Sequence, residues 1–405
     1  MPAAPSRSRY AVIFFTVLID LIGFGIVMPI LPFSAQGFGA TGLAYGAVLG
    51  VYSFMQFVST AVLGKLSDRT GRRPVLLTTM LVNAAGYALF AFAGSYWVLF
   101  LSRVVSGFAG GNISVAQAYM ADITTPAERS RGMGIVGAAF GIGFSAGPAI
   151  GGLADHFLGA HWPGLVCVGL SLANFVSAYF ILPESLKQEL RVKRALFDLG
   201  HILLAFARPR LRPLMIVWAL VPLGFAGYTA ALPYRTMGAL GWQKLQLMLL
   251  FIIIGVTAAV VQGYLFGKLV RRTGEPTLVI VGTFVMAASI AIVPFLPSSA
   301  LLYVWTFVLA VSNSLFSPAA SGLVSVYADP NEQGTILGAA QAVSALGRTV
   351  GPPLIGQVYD VSQVTSFLLA GLFMAVAGLA AFRLAPVTHH ATPVVPLPEP
   401  PPVES

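Results

Sequence analysis

The chain has 405 residues, of which 57% are hydrophobic and only 9% charged, and its mean hydropathy is +0.84. Soluble globular domains carry about a quarter charged residues, so this composition leaves too little polar surface for a water-soluble body and points to an all-α protein that crosses the membrane many times. The net charge is +9, but the basic residues recur in short groups between long apolar runs, as in loops facing an anionic lipid surface; the expected partner is the bilayer, and no nucleic acid. Cys167 is the single cysteine and lies inside an apolar run, which excludes an intramolecular disulfide or a thiolate cluster; no metal or cofactor is expected.

A spanning helix needs about 20 mostly apolar residues. Cutting the chain at charged or Gly/Pro-rich breaks predicts twelve transmembrane helices, over 11–33, 43–63, 74–94, 97–120, 131–154, 162–182, 213–234, 245–267, 277–296, 300–325, 334–358 and 363–385. The first run is too long for a signal-peptide core and contains Asp20, so it reads as a retained helix. Six spans (1–182) precede a charged linker at 183–212 and six (213–385) follow it. The Pro-rich segment 386–405 cannot form a core and reads as a disordered cytoplasmic tail. With the N-terminus in the cytoplasm, nineteen of the 23 Lys and Arg fall on the inner side and only Arg235 and Lys244 in outer loops. This bias predicts an inner-membrane protein with both termini cytoplasmic.

The two halves repeat. Gly64-Lys-Leu-x-x-Arg-Thr-Gly71 recurs as Gly267-Lys-Leu-x-x-Arg-Thr-Gly274, and Gly147-Pro-x-x-x-Gly152 recurs as Gly351-Pro-x-x-x-Gly356, with Glu128 and Glu332 in the same register. Two pseudo-symmetric six-helix bundles in parallel orientation predict a transporter that rocks about a central cavity, reached by the first, fourth, seventh and tenth spans.

The loop after the second span reads Gly64-Lys-Leu-Ser-Asp68-Arg69-Thr-Gly71-Arg72-Arg73-Pro74. Its glycines allow a tight turn, and Asp68 is suited to a basic neighbour or the positive end of a helix. An ordinary inner loop would account for the arginines but not for the Asp or the glycine spacing. The segment resembles the loop signature of the major facilitator superfamily, whose fold the twelve-span plan matches over residues 10–385. The resemblance implies a cytoplasmic gate: Asp68 would close toward the start of the eleventh span near Gly334, with Arg72 and Asp122 holding the loop.

In the fifth span, Gly134, Gly143, Gly147-Pro148 and Gly151-Gly152 resemble the antiporter signature of that superfamily's drug:proton antiporters. Physically, a glycine face lets a neighbouring backbone approach closely, although generic small-residue packing would look similar. The first span, Asp20-Leu-Ile-Gly23-Phe-Gly25-Ile-Val-Met-Pro29, is similar to that of twelve-helix drug:proton antiporters, including tetracycline exporters. Of fourteen acids, Asp20 alone lies deep in a span. A mid-membrane carboxylate is expensive and so reads as functional, here as a proton carrier; the alternative is a neutral acid capping a kink near Gly23. Leu101-Ser-Arg103-Val-Val-Ser-Gly107 resembles the superfamily's fourth-helix motif, which implies a proton-transfer role for Arg103 beside Asp20. Arg103 could equally snorkel to the nearby outer surface.

Arg348 in the eleventh span should pair with something: an anionic substrate group, Asp360 or backbone carbonyls. Phe24, Gln56, Asn112, Gln117, Phe140, Trp218, Tyr228, Asn313 and Gln341 are further candidates for the cavity wall. The resemblance to tetracycline exporters continues in Tyr87-Ala-Leu-Phe-Ala-Phe, but Gly86 stands where they carry an acid, and 277–296 contains no acid where they have one. These departures put metal-chelate handling in doubt.

The resulting reading is a proton-coupled exporter of amphipathic small molecules, working as a monomer. The alternative within transport is an endogenous solute such as a sugar, amino acid or lipid-like metabolite. An enzyme would need clustered acids, a metal set or an activated nucleophile. The five histidines lie outside the span cores, no acid pair lies in the membrane, and no Walker loop is present. A simple pore would not need the two-fold repeat.

Overall fold

A computed structural model describes residues 7–124, 129–186, 205–328 and 332–384. Most of the charged linker, 187–204, and the tail at 386–405 lie outside the described residues.

The first half contains α1 (Arg7–Val27), α2 (Leu31–Gly37), α3 (Gly42–Thr70), α4 (Arg72–Ala91), α5 (Tyr96–Ala109), α6 (Asn112–Ile123), α7 (Arg129–Leu158) and α8 (Trp162–Ile181). The second contains α9 (Arg212–Leu240), α10 (Lys244–Val260), α11 (Phe266–Thr273), α12 (Glu275–Ala291), α13 (Ser299–Tyr327), α14 (Gln333–Val361) and α15 (Gln363–Ala381). Helices α1 and α2 form one bent span with a 42° break; α5 continues into α6, and α10 reaches α11 through a π-helical turn at Val261–Leu265. Twelve rods result, six in each half, as the hydropathy pattern predicts. Among the described residues nine helices are long and apolar enough to cross a membrane, ten with the bent span; α14, which carries Gln341, Arg348 and two adjacent prolines, is not among them. Large apolar side chains such as Phe180, 79% exposed, cover the outside, where lipid takes the place of water.

The ends of the rods follow local chemistry. Thr41, Ser95, Ser298 and Ser362 accept a hydrogen bond from the backbone N–H three residues on, satisfying donors that a helix start leaves free. Pro163, Pro213 and Pro276 occupy first-turn positions, where a missing N–H costs nothing. Gly71 and Gly274, equivalent positions of the repeat, both take positive φ, 108° and 76°, at the break between two helices; that conformation is open to glycine and strained for other residues.

The second repeat sets how the rods pack. A methyl added at Gly147 would sit 2.8 Å from Gly25 Cα, and one added at Gly351 would sit 3.2 Å from Gly227 N. So α7 lies against α1 as α14 lies against α9. The apolar cores follow the halves: one cluster runs from Ala205 to Leu384, one lies within Val12–Leu182, and a third joins the first half to Ala230.

Candidate functional site

Two groups of polar residues lie between the halves and inside the first half. The inner one surrounds Asp20. Its Oδ1 accepts from Asn83 Nδ2 at 3.0 Å and its Oδ2 from Asn112 Nδ2 at 2.6 Å. The rise of 1.5 Å per residue puts Asp20 on α1, Asn83 on α4 and Asn112 on α6 at about the same depth, roughly 17–20 Å from the arginine-rich end. Two amides donating to one carboxylate stabilise the charged form without a counter-cation. Rotated half a turn, an amide presents its oxygen and can accept from the protonated acid. The cage can therefore hold either protonation state.

Arg103 does not pair with Asp20, contrary to the expectation from the motifs. Its Nε donates to Ser102 Oγ at 3.2 Å, its guanidinium lies 5.1 Å from the centre of the Phe90 ring, and Nη2 has no hydrogen-bond partner. Nor does it snorkel to the surface, being only 3% exposed. The physical reason is depth: Arg103 sits on α5 about 10 Å further along the membrane normal than Asp20, by the same helical rise. Tyr52 is within electrostatic reach of Asp20, Arg103 and Arg348 together, so it stands between the carboxylate cage and the second polar group.

That second group lines a cavity of about 380 Å³ between the halves. Phe24 comes from α1, Met28 from the break between α1 and α2, Tyr52 from α3, Arg103 from α5, Trp218 and Phe225 from α9, Asn313 from α13, and Gln341, Ser344 and Arg348 from α14. The four expected spans thus contribute, joined by the second and eleventh. Arg348 Nη1 donates to Ser344 Oγ at 2.6 Å. Asp360 is not its partner, because that carboxylate is three turns away and accepts from the N–H groups of Gly42 and Leu43 at 2.7 and 2.9 Å.

Four candidates for the cavity wall lie elsewhere. Asn112 is committed to Asp20. Gln56 donates to Gly110 O at 3.4 Å, tying α3 to the α5–α6 junction. Gln117 is exposed on α6 and is not among the residues lining this cavity, and Tyr228 is buried against Phe367 inside the second half. The side chain of Phe140 lies outside the described residues.

The loop Gly64–Pro74 forms a network within the first half. Arg72 Nη1 meets Asp68 Oδ1 at 2.6 Å and Ser67 Oγ at 2.6 Å, while its Nε meets Asp122 Oδ2 at 3.2 Å. Glu184 accepts from the backbone N–H of Arg72 and Arg73 at 2.8 and 3.2 Å, a carboxylate at the positive end of α4. Arg73 Nη2 donates to Tyr179 O at 2.7 Å; Arg69 is in the last turn of α3. Asp68 stays in its own half here, and the surroundings of Gly334 lie outside the described residues. A methyl added at Gly64 or at Gly338 would meet nothing within 4 Å among the described residues.

The glycines of the fifth span line the face of α7 that meets α1. A methyl at Gly143 would lie 2.5 Å from Leu21 Cβ, one at Gly151 would lie 2.9 Å from Ile26 O, and Pro148 Cδ lies 3.0 Å from the methyl position of Gly25. Gly152 instead faces Met248 of α10. Gly134 lies in α7, its surroundings outside the described residues. The row thus seats the helix that carries Asp20.

Sequence reasoning passed over Asn83 as a ligand, Glu184, and the pair Asp155–Lys244, whose ends meet at 2.7 Å between α7 and α10. The matching depths of Asp20, Asn83 and Asn112 were the available signal for the first. Gly86 also has a structural reason: a methyl there would sit 2.9 Å from Ser106 N, so an acid would force α4 and α5 apart.

The family model described as Major Facilitator Superfamily matches residues 13–352 and 264–403. The chain is 32% identical over 367 residues to the tetracycline resistance protein, class C, of Escherichia coli, covering 89% of this chain and 92% of that one. It is 28% identical to the major facilitator superfamily domain-containing protein 10 of Mus musculus, covering 92% and 94%. Among solved structures, the human organic anion transporter MFSD10 superposes with a TM-score of 0.71 at 24% identity, over 93% of this chain and 99% of that one, a likeness of fold. With the family model spanning most of the chain and the two halves built as described, the protein belongs to the major facilitator superfamily and is a membrane transporter, not an enzyme.

Proposed function

We propose that the protein is a proton-coupled antiporter that exports amphipathic small molecules by alternating access, with Asp20 as the proton carrier. The observation that carries the reading is the Asp20 cage: a carboxylate at membrane depth, held by two amides able to serve both its charge states, on the helix seated by the glycine row of α7. Wet, the carboxylate ionises. When the halves close around it and water leaves, the neutral acid is the cheaper form to bury. Proton and substrate then move in opposite directions if each favours a different orientation of the halves.

The mostly apolar cavity wall suits an amphipathic molecule, and similarity to a tetracycline resistance protein supports export. Gly86 and the acid-free interior of α12 count against tetracycline chelates as the cargo. With the arginine-rich loops in the cytoplasm, as the loop charges suggest, the structure corresponds to the inward-facing state, ready to load from the inside. The test is transport in proteoliposomes under an imposed pH gradient. Asp20→Asn imitates the protonated acid and cannot cycle, so it should abolish uphill movement while substrate binding persists. Uphill transport at the parental rate in that variant would make Asp20 structural.

A further inference from the structure

Building on the exporter reading, the cavity itself carries information about the cargo. Arg103, 3% exposed, keeps Nη2 without a partner, and Trp218, 7% exposed on the opposite half, keeps Nε1 without one. Both face the same cavity, as does Arg348, whose hydrogen bond to Ser344 leaves its charge uncompensated. Among the described residues no Asp or Glu lines the cavity. The deep carboxylate of α1 is no substitute, since Asp20 is held by Asn83 and Asn112 about 10 Å from Arg103 along the membrane normal. A buried cation or N–H with no acceptor is costly, and a guanidinium fork is suited to a carboxylate.

We propose that the cavity takes an amphipathic organic anion, with a carboxylate held by Arg103 of one half and Arg348 of the other and an apolar ring system against Phe24, Phe225 and Trp218. A ligand that bridges the two arginines contacts both halves at once, so its charge favours the occluded arrangement over either open one. The cargo class also sets the energetics. An anion leaving the cell and a proton entering it both carry positive charge inward, so export should respond to membrane potential as well as to the pH gradient.

The test measures binding of three probes of one shape, naphthylacetate, naphthylacetamide and naphthylethylamine, to the full chain at neutral pH. Naphthylacetate should bind at least about tenfold more tightly than the amide, a charge-assisted hydrogen bond being worth about that much or more. Arg348→Gln should reduce this preference severalfold, with Arg103 keeping the remainder, and Arg348→Lys should restore part of the loss by returning the charge without the fork. Equal affinities, a preference for the amine, or no binding of naphthylacetate overturns the proposal, and the comparison of probes on the parent chain needs no variant to fold. Proteoliposomes separate this from the export reading. Preferential naphthylacetate binding without gradient-driven accumulation keeps the anion site and removes the antiport. Uphill movement of the amine keeps the antiport and removes the anion site.

Discussion

The two ends of the molecule are built differently. At the end away from the arginine-rich loops, the halves touch backbone to backbone: a methyl at Gly42 would sit 2.5 Å from Gly356 O, and one at Gly50 would sit 2.5 Å from Thr349 O. Asp360 receives the first N–H groups of α3 from across the interface, Lys244 meets Asp155, and Tyr234 donates to Ala40 O at 2.8 Å. At the arginine-rich end, Arg72 binds Asp68 and Asp122 of its own half, and Arg208 binds Glu332 of its own half. One end is closed by contacts between halves, while the other spends its charges within them. On the proposed alternating-access reading the two ends would use unlike locks, close-packed glycine and helix capping at one and charged side chains at the other.

The largest effect should come from the close packing. Gly356→Val places a branched side chain against the Gly42 backbone and should keep that end from closing. Transport is expected to fall by about ten- to a hundredfold, since overpacking typically costs about 1–3 kcal/mol, and spin-label distances across the end should lengthen. Unchanged distances would show that the glycine contact is not what closes it. Next, Asp68→Asn should weaken the lock of the arginine-rich end in the opposite conformer, shifting the population toward the one described and lowering turnover more than substrate affinity. Identical conformer populations in variant and parent would remove Asp68 from the gate.

A smaller shift should follow Asp360→Asn, which keeps the shape but weakens the cap on α3. A lost cap costs about 1 kcal/mol, roughly a fivefold change in population, now toward opening of the end that Gly356 closes. The smallest effect is expected for Lys244→Ala. The Lys244 side chain is 38% exposed, and such pairs are worth about 0.2–1 kcal/mol. Its consequence should fade further at high salt; a loss as large as that of Asp360→Asn would mean the pair is shielded from solvent in the working protein.

Much was determined by the amino-acid sequence alone. Spans, halves and glycine positions are local or periodic properties, fixed by hydrophobic length, by φ at Gly71 and Gly274, and by repeats that any chain of this pattern must fold alike. The depth of Asp20 could likewise be counted along one helix. What joins one helix to another was not legible. Asp20 meets amides rather than Arg103, Asp360 caps α3 rather than neutralising Arg348, and Gln56, Gln117 and Tyr228 are not among the cavity's lining residues. In each case the outcome depends on the relative height and rotation of rods separated by many residues, which composition and spacing leave free. Only the tertiary packing sets those, because in an apolar environment each polar group must take whichever partner its neighbouring helices bring within reach.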